Sequence, residues 1–581
     1  MLSISFAALC PVAERTIQVP AVVTNQEGGL LQIRASTQPG GGDILTTVEP
    51  VVGPSTQQSQ AMAVKEAFRG LDINPDLCET HFYVMDTQGA PSVDGPSAGL
   101  AMTMALRGAL TNQTIRSDVS VTGAILPDGR AGDVGGLIDK AQASARRGMH
   151  ALITPHQELY ENIILQRLGQ ERNFSVVEVR TLDEAMAVAA SPDNQPIMPI
   201  YHLENKPIPV GLAPWPQNEQ DNQFEQVAAR LNDMLRARLQ EGGIFAKSGY
   251  GEYFQRVLDD NARLTGMGYG YASANNAFLA QVDAAFLSLP AHTPDVSGEA
   301  DRVLQCVRRT PSVNLTRENF EWVAGGSARV AWSLQKIEDV KKNLAKETSS
   351  EEQYMALRDV YSAQAWCDAG TQLLLIAQET GGHAVNDSAL AELARARVQA
   401  QEQNIAQLGA QDSDMAWHAQ IANRSLMRHQ WAAALFDAAY VEGSLDAVQV
   451  MEQNGTLGAQ ALQTPMQGLW GRVYGSQAAY LQAGASNDTL TPDALRVWKM
   501  ARAMETGMDA GKQSMMQAKP GSAGALAGGN PAGGNTPTSA KPSASFNFVD
   551  VAVALVVVFG VLTLGYGIGR SVEKFKKTRK K

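Results

Sequence analysis

Cysteine is scarce in this chain. Its 581 residues hold four, Cys10, Cys78, Cys306 and Cys367, too few and too scattered for a disulfide scaffold, and no two form a C-x-x-C pair. The eight histidines include no H-E-x-x-H, so no metal site and no metal cofactor are expected. A Cys306–Cys367 disulfide would fit an exported chain; two separately buried thiols fit equally well. Positive charge is short as well. Forty-eight Lys and Arg stand against 59 Asp and Glu, a net −11. The last twelve residues carry seven basic residues and one acidic one, so everything before them stands at −17. An acidic body with no basic stripe argues against nucleic acid as a partner. A phosphate-binding loop, G-x-x-x-x-G-K-[ST], is also missing. The nearest stretch, "GMDAGKQS" from Gly507 to Ser514, has the wrong glycine spacing and Gln513 where Ser or Thr belongs.

What the chain has is an ordinary apolar share, 44%, and enough length for two or three domains. It also has one long uncharged run, Val551 to Gly569. At about 1.5 Å per residue those nineteen residues nearly span a hydrocarbon core of roughly 30 Å, so a single transmembrane helix is expected over 549–570. Gly565 and Gly569 form one G-x-x-x-G step, a weak hint of helix pairing. The basic tail, 571–581, should stay cytoplasmic, which places the large domains outside the cytoplasm and makes the lipid bilayer a partner. Export needs a signal. Residues 1–15 offer a short apolar run without a preceding basic residue, readable as an incomplete signal peptide or as a first strand. Seven N-x-S/T sequons, the first at Asn112, are compatible with export and add little.

Between the ends the composition changes twice. From Thr16 to Asp193, β-branched strand-like runs such as "TIQVPAVV", "LLQIRAST" and "VSVTGAIL" alternate with helix-like runs such as "LIDKAQASARRGM". Residues 194–217 are proline-rich and read as a linker. All eight tryptophans, Trp215 to Trp498, fall at or after it. Over 218–517 apolar residues recur at steps of three and four. One set is Tyr354, Leu357, Tyr361 and Ala365. A second is Met427, Trp431, Ala434, Leu435 and Ala438, with Gly443 just past the expected helix end. An all-helical domain is expected there. Residues 518–548, rich in Gly, Ala, Pro and Ser, form a flexible linker to the span.

The chemistry centres on "VDGPSAGLAM", Val93 to Met102. Asp94 can cap a helix, Pro96 suits its first turn and Ser97 follows, among N–H groups that lack intrahelical acceptors. Backbone N–H groups of Gly95 and Ser97 could hold an oxyanion there. A serine nucleophile needs a base, and no motif places a histidine for that part; His81, the nearest, reads as an ordinary strand residue. A lysine serves if burial pushes its pKa down from near 10.4 to about 7–8. Lys140, in "DVGGLIDKAQASARRGM", is the candidate.

Together "DGPSAG" at Asp94 to Gly99, "VTGAI" at Val121 to Ile125 and "GGLIDKAQASARRGMHALITP" at Gly135 to Pro155 resemble the protease domain of the Lon family. The flanking "GGLLQIRASTQPGGG", "DINPDLCETH" and "VRTLDEAM" look like the family's counterparts, so the resemblance covers roughly residues 16–190. It implies an α+β protease domain of mixed sheets with packed helices, followed here by the all-helical domain and the C-terminal transmembrane helix. It also implies Ser97 as nucleophile, Lys140 as base, Thr122 hydrogen-bonding near the lysine, and Asp94 beside the dyad. Hexameric homo-oligomers are common in the family, and the resemblance alone implies one here. The chain departs from the family in two ways: it lacks the AAA+ phosphate loop, and its protease-like part comes first. Two functions follow. One is an ATP-independent, membrane-anchored serine–lysine endopeptidase for unfolded proteins or peptides. The other is an inert Lon-like scaffold whose helical domain binds a partner.

Overall fold

The computed structural model describes residues 9–22, 28–47, 51–86, 92–93, 95–193, 195–203, 207–244, 249–289, 295–344, 349–383, 385, 387–408, 413–453, 455–485 and 488–517. Asp94 and most of 1–15, as well as the expected linker 518–548, span 549–570 and tail 571–581, lie outside them. Among the described residues no helix is long and apolar enough to cross a membrane. The chain divides into two compact units. The first comprises 1–204, 283–296 and 343–358, and the second holds the remainder.

The first unit is built on a mixed sheet. Its strands are β1 (Ala13–Ala21), β2 (Gly29–Pro39), β3 (Ile44–Thr46), β4 (Val51–Val52), β5 (Cys78–Asp86), β6 (Ser92–Val93), β7 (Val119–Val121), β8 (Ala124–Ile125), β9 (Ala131–Gly132), β10 (Ala151–Thr154) and β11 (Ser175–Glu178). Seven form one sheet in the order β11-β10-β7-β1-β2-β5-β3; β4 pairs with β6, and β8 with β9. β1, β2 and β5 are antiparallel, while β1, β7, β10 and β11 run parallel. The sequence shows why. In β2, Leu31, Ile33 and Ala35 are buried and their neighbours half-exposed, the period of two of a strand with one wet face. β7 and β10 are buried at every residue, as parallel strands covered on both faces must be. Five helices accompany the sheet: α1 (Pro54–Phe68), α2 (Gly99–Leu110), α3 (Leu137–Arg146), α4 (Leu159–Arg172) and α5 (Leu182–Ala189). α2 is small-residue-rich and buried all round except at Arg107. Such a helix can only be a core helix.

Of the N-terminal segment, Leu9 is exposed and β1 begins at Ala13. Cys10 is bonded to Cys78 at the start of β5, with 5.4 Å between the Cα atoms. The strand thus starts past the apolar run 2–10, most of which lies outside the described residues. The Cys10–Cys78 pairing has no counterpart in the sequence reading, which expected no scaffold. Cysteines 68 residues apart give no local signal of being neighbours; the β2–β5 register, pairing Cys78 with Pro39, brings them together.

The second unit is helical: α6 (Glu219–Glu241), α7 (Tyr250–Gly266), α8 (Gly270–Leu287), α9 (Val296–Arg309), α10 (Phe320–Leu344), α11 (Ser350–Thr380), α12 (Ser388–Leu408), α13 (Ser413–Met427), α14 (Trp431–Glu452), α15 (Leu469–Gln482) and α16 (Pro492–Gln517) supply it. The end of α8 and the first turns of α11 belong to the first unit. Cys306 on α9 and Cys367 on α11 are bonded, with Cα atoms 6.4 Å apart. One expected helix is corrected. Met427 ends α13, His429 takes a positive φ of 58°, and α14 starts at Trp431. Gly443 does not stop that helix. It lies within α14, where a Cβ would come 2.5 Å from the Met500 Cα of α16, so glycine is required by close helix packing rather than by a cap. The stretch 507–514 lies inside α16.

Candidate active site

Ser97 sits in a short 3-10 turn, Pro96–Ala98, directly before α2. The turn's N-cap is Gly95, with φ 133°, and that of α2 is Ala98. The sequence placed Asp94 at the cap and Ser97 inside the first α-turn. Pro96 fixes φ at a value open to either winding, and the contacts of the turn select the tighter 3-10 form. Gly95 O accepts from the Thr56 hydroxyl at 3.2 Å, tying the turn to α1. The Ser97 carbonyl accepts the Gly123 N–H at 2.8 Å, and Leu100 N–H returns a bond to Gly123 O at 2.9 Å. The loop after β7 therefore clamps the start of α2, leaving the Ser97 side chain half-buried at that end of the sheet.

Thr122 follows β7 directly and is fully buried. Its N–H donates to Ile153 O of β10 at 3.0 Å. Its hydroxyl reaches the Ser97 carbonyl at 3.4 Å. The resemblance implied a bond near the lysine; the bond shown ties Thr122 to the serine's backbone.

Lys140 lies one turn into α3 and is 4% exposed. Two features set it there. Gly136 caps α3 in the left-handed region, φ 73°, where a Cβ would also come 2.8 Å from Val22 Cγ2. One turn beyond Lys140, the Ser144 hydroxyl accepts a bond from the Ser120 hydroxyl of β7 at 2.8 Å, both side chains buried. β7 and β10 are parallel neighbours joined through α3, so α3 runs back antiparallel to them. Stepping from Ser144 back to Lys140 on the helix therefore follows the step from Ser120 forward to Thr122 on the strand. Lys140 thus lies toward the same C-terminal end of β7 as Thr122 and the Ser97 turn.

The Lys140 ammonium donates to Gly135 O at 2.8 Å rather than to the serine hydroxyl. Proton transfer requires it to turn from that carbonyl, a rearrangement catalytic groups commonly make when substrate arrives. Burial depresses its pKa to about 8, with Glu351 working in the opposite direction. An amine that loses its proton near neutrality is what a general base needs.

Glu351 is the site's unanticipated member. Its carboxylate accepts the Ile138 N–H at the start of α3 at 2.7 Å, and its own N–H donates to Asp139 Oδ1 at 3.1 Å. A local signal exists nearby: Ser349 and Glu352 form a reciprocal capping pair at the start of α11. Nothing local tells that Glu351, one of the two residues between them, reaches α3. His81 is on β5, its ring stacked 3.8 Å from that of Tyr83. Among the described residues no group of three or more His, Cys, Asp or Glu could hold a metal ion.

Comparison with known proteins finds similarity over about the first third of the chain. The chain is 32% identical over 181 residues to the Lon protease of Chloroflexus aurantiacus, covering 30% of this chain and 21% of that one. It is 38% identical over 152 residues to the Lon protease of Phenylobacterium zucineum, 25% of this chain and 19% of that one. With the Lon protease of Lawsonia intracellularis it shares 33% over 169 residues, 28% and 20% of the two chains. The chain thus spans about a fifth of the length of the curated relatives it matches. Residues 16–190 match the family model of the Lon protease (S16) C-terminal proteolytic domain, which indicates a serine peptidase.

Proposed function

We propose that residues 16–193 are an active serine–lysine endopeptidase domain, held at a membrane by the span 549–570, and that it cuts unfolded polypeptides or peptides without ATP. The observation that carries the reading is a serine on a clamped turn and a lysine buried to a pKa of about 8 at the same end of β7. Ser97 attacks the peptide carbonyl while neutral Lys140 takes its proton. Backbone N–H groups of Gly95 and Ser97 serve the oxyanion. Lys140 then protonates the leaving amine and activates the water that frees Ser97. The Thr122 hydroxyl fixes the Ser97 backbone; the part that the resemblance implies for Asp94 falls outside the described residues. The direct test is labelling by a serine-directed covalent inhibitor. Labelling of the unmodified chain that disappears in Ser97→Ala supports the peptidase; no labelling favours the inert scaffold.

Substrate choice follows from the motor. These 581 residues carry no phosphate-binding loop, so nothing in them pulls a folded chain apart. A folded substrate then opens only through its own equilibrium, commonly a fraction of about 10⁻³ or less. Casein-like chains should be cut and stable folded proteins spared, with rates unchanged by ATP and magnesium. ATP-stimulated loss of a folded substrate by the purified protein would count against the reading. A ring-shaped homo-oligomer, a hexamer by resemblance to the Lon family, is part of the proposal and is checked by its mass in solution.

The charge bias across 549–581 and two disulfides support a location outside the cytoplasm for the catalytic domain, since disulfides persist mainly in oxidising compartments. Protease added to sealed cells should digest the folded body and leave the tail after Arg570 protected. Digestion of the tail alone would reverse the orientation.

A further inference from the structure

The peptidase site is not built from residues 16–193 alone. α3, which carries Lys140, begins at a left-handed glycine with no side-chain cap of its own. The missing acceptor comes from Glu351, 213 residues past Ile138, which takes the Ile138 N–H and returns its own N–H to Asp139. Glu351 and Asp139 are each 9% exposed, so both bonds are made out of water. The segment that carries Glu351 is fastened nearby at a second point. Arg358 pairs with Glu158 at 2.6 Å, at the cap of α4, and lies 4.3 Å over the Tyr160 ring. Two attachments about two turns apart on one helical face fix the first turns of α11 against α3 and α4.

We infer that Glu351 is a positioning residue of the peptidase site: it caps the helix that carries Lys140 and holds a carboxylate beside that lysine's amine. The inference rests on Lys140 being the base. Without the carboxylate, the buried amine would keep the Gly135 carbonyl but no negative charge to offset the start of α3, whose partial positive charge disfavours a cation. Glu351 offsets this and sets how basic the amine is. The charged and titratable groups facing Glu351 are Asp139 and Lys140 from α3 and Glu161 and Tyr160 from α4; Arg358 on its own helix is engaged by Glu158. Burial raises Glu351 to about 7 and Glu161 to about 8. Glu351 is therefore mostly charged near pH 8, where Lys140 gives up its proton.

The test uses the full chain and two variants. Glu351→Gln keeps an oxygen for the Ile138 N–H and removes the charge; Glu351→Ala removes both. The proton affinity of Lys140 is read without catalysis, by the pH dependence of its acylation under competitive labelling and mass spectrometry. In Glu351→Gln the midpoint should fall by at least about half a pH unit, with the rising limb of kcat/KM shifting the same way and the plateau nearly kept. In Glu351→Ala the plateau of kcat should fall as well, about tenfold or more, because α3 loses its cap. Unshifted midpoints in both variants, with only a lower melting temperature, would make Glu351 merely structural and overturn the inference while leaving the dyad standing. Activity that survives Ser97→Ala and Lys140→Ala would instead remove the dyad, and the inference with it.

Discussion

Ser97→Ala and Lys140→Ala should each lower peptide cleavage by more than about 10³-fold, and the double variant should be no worse than either single one. The first removes the nucleophile. The second leaves an ordinary hydroxyl, un-ionised at neutral pH, with no group in place to take its proton. Residues acting as one unit give strongly non-additive losses, so the comparison of single and double variants tests the pairing itself. The unmodified protein should show kcat/KM rising with pH through about 8, where Lys140 becomes neutral. A rise centred near 6 would point to a histidine. The same lysine should be a liability for stability. Its folded pKa lies below its unfolded value, so between the two the unfolded chain binds more protons and stability rises with pH. Below pH 8 the penalty is fully present; above about 10.5 it is gone. Lys140→Met should therefore unfold later than the unmodified chain at pH 7, by an amount on the order of 3 kcal/mol, and lose that advantage by pH 10.5. A stable but inactive variant also excludes misfolding as the reason for lost activity. Full cleavage by a folded Lys140→Ala protein would end the mechanism.

Breaking the Cys306–Cys367 bond should destabilise the helical unit by about 4 kcal/mol, the loop-closure entropy of a cross-link over some sixty residues. Cys367 is fully buried, so the double change Cys306→Ala and Cys367→Ala keeps the site apolar and isolates the cross-link. The measurement is a denaturant titration of that variant beside the unmodified chain, each with and without reductant. The variant's curve should not respond at the helical transition; the unmodified chain's should move to meet it. The Cys10–Cys78 bond closes a loop of similar length and should act on the first unit alike. Four free thiols in the oxidised, denatured protein would show that neither bond forms, and would remove one support for a location outside the cytoplasm.

Local features were plain in the sequence. The alternation of Leu31, Ile33 and Ala35 and the three-and-four spacing of Tyr354, Leu357 and Tyr361 reflect burial of one face of one element, and the runs of β7 and β10 reflect burial of both; these patterns are written in consecutive residues. Ser97 and Lys140 were nameable because their motifs are contiguous stretches. The sequence could not place the Ser97 turn within its helix start, since proline and Gly95 permit both windings and the clamp from Gly123 decides. Nor could it read Gly443, whose role is set by a helix more than fifty residues further on. Tertiary structure alone decided the Cys10–Cys78 pair, the burial that lowers Lys140, and Glu351 at the start of α3. Each of these is a contact between residues far apart in the chain, made by packing, and no periodicity along the chain records which distant surface a side chain will meet.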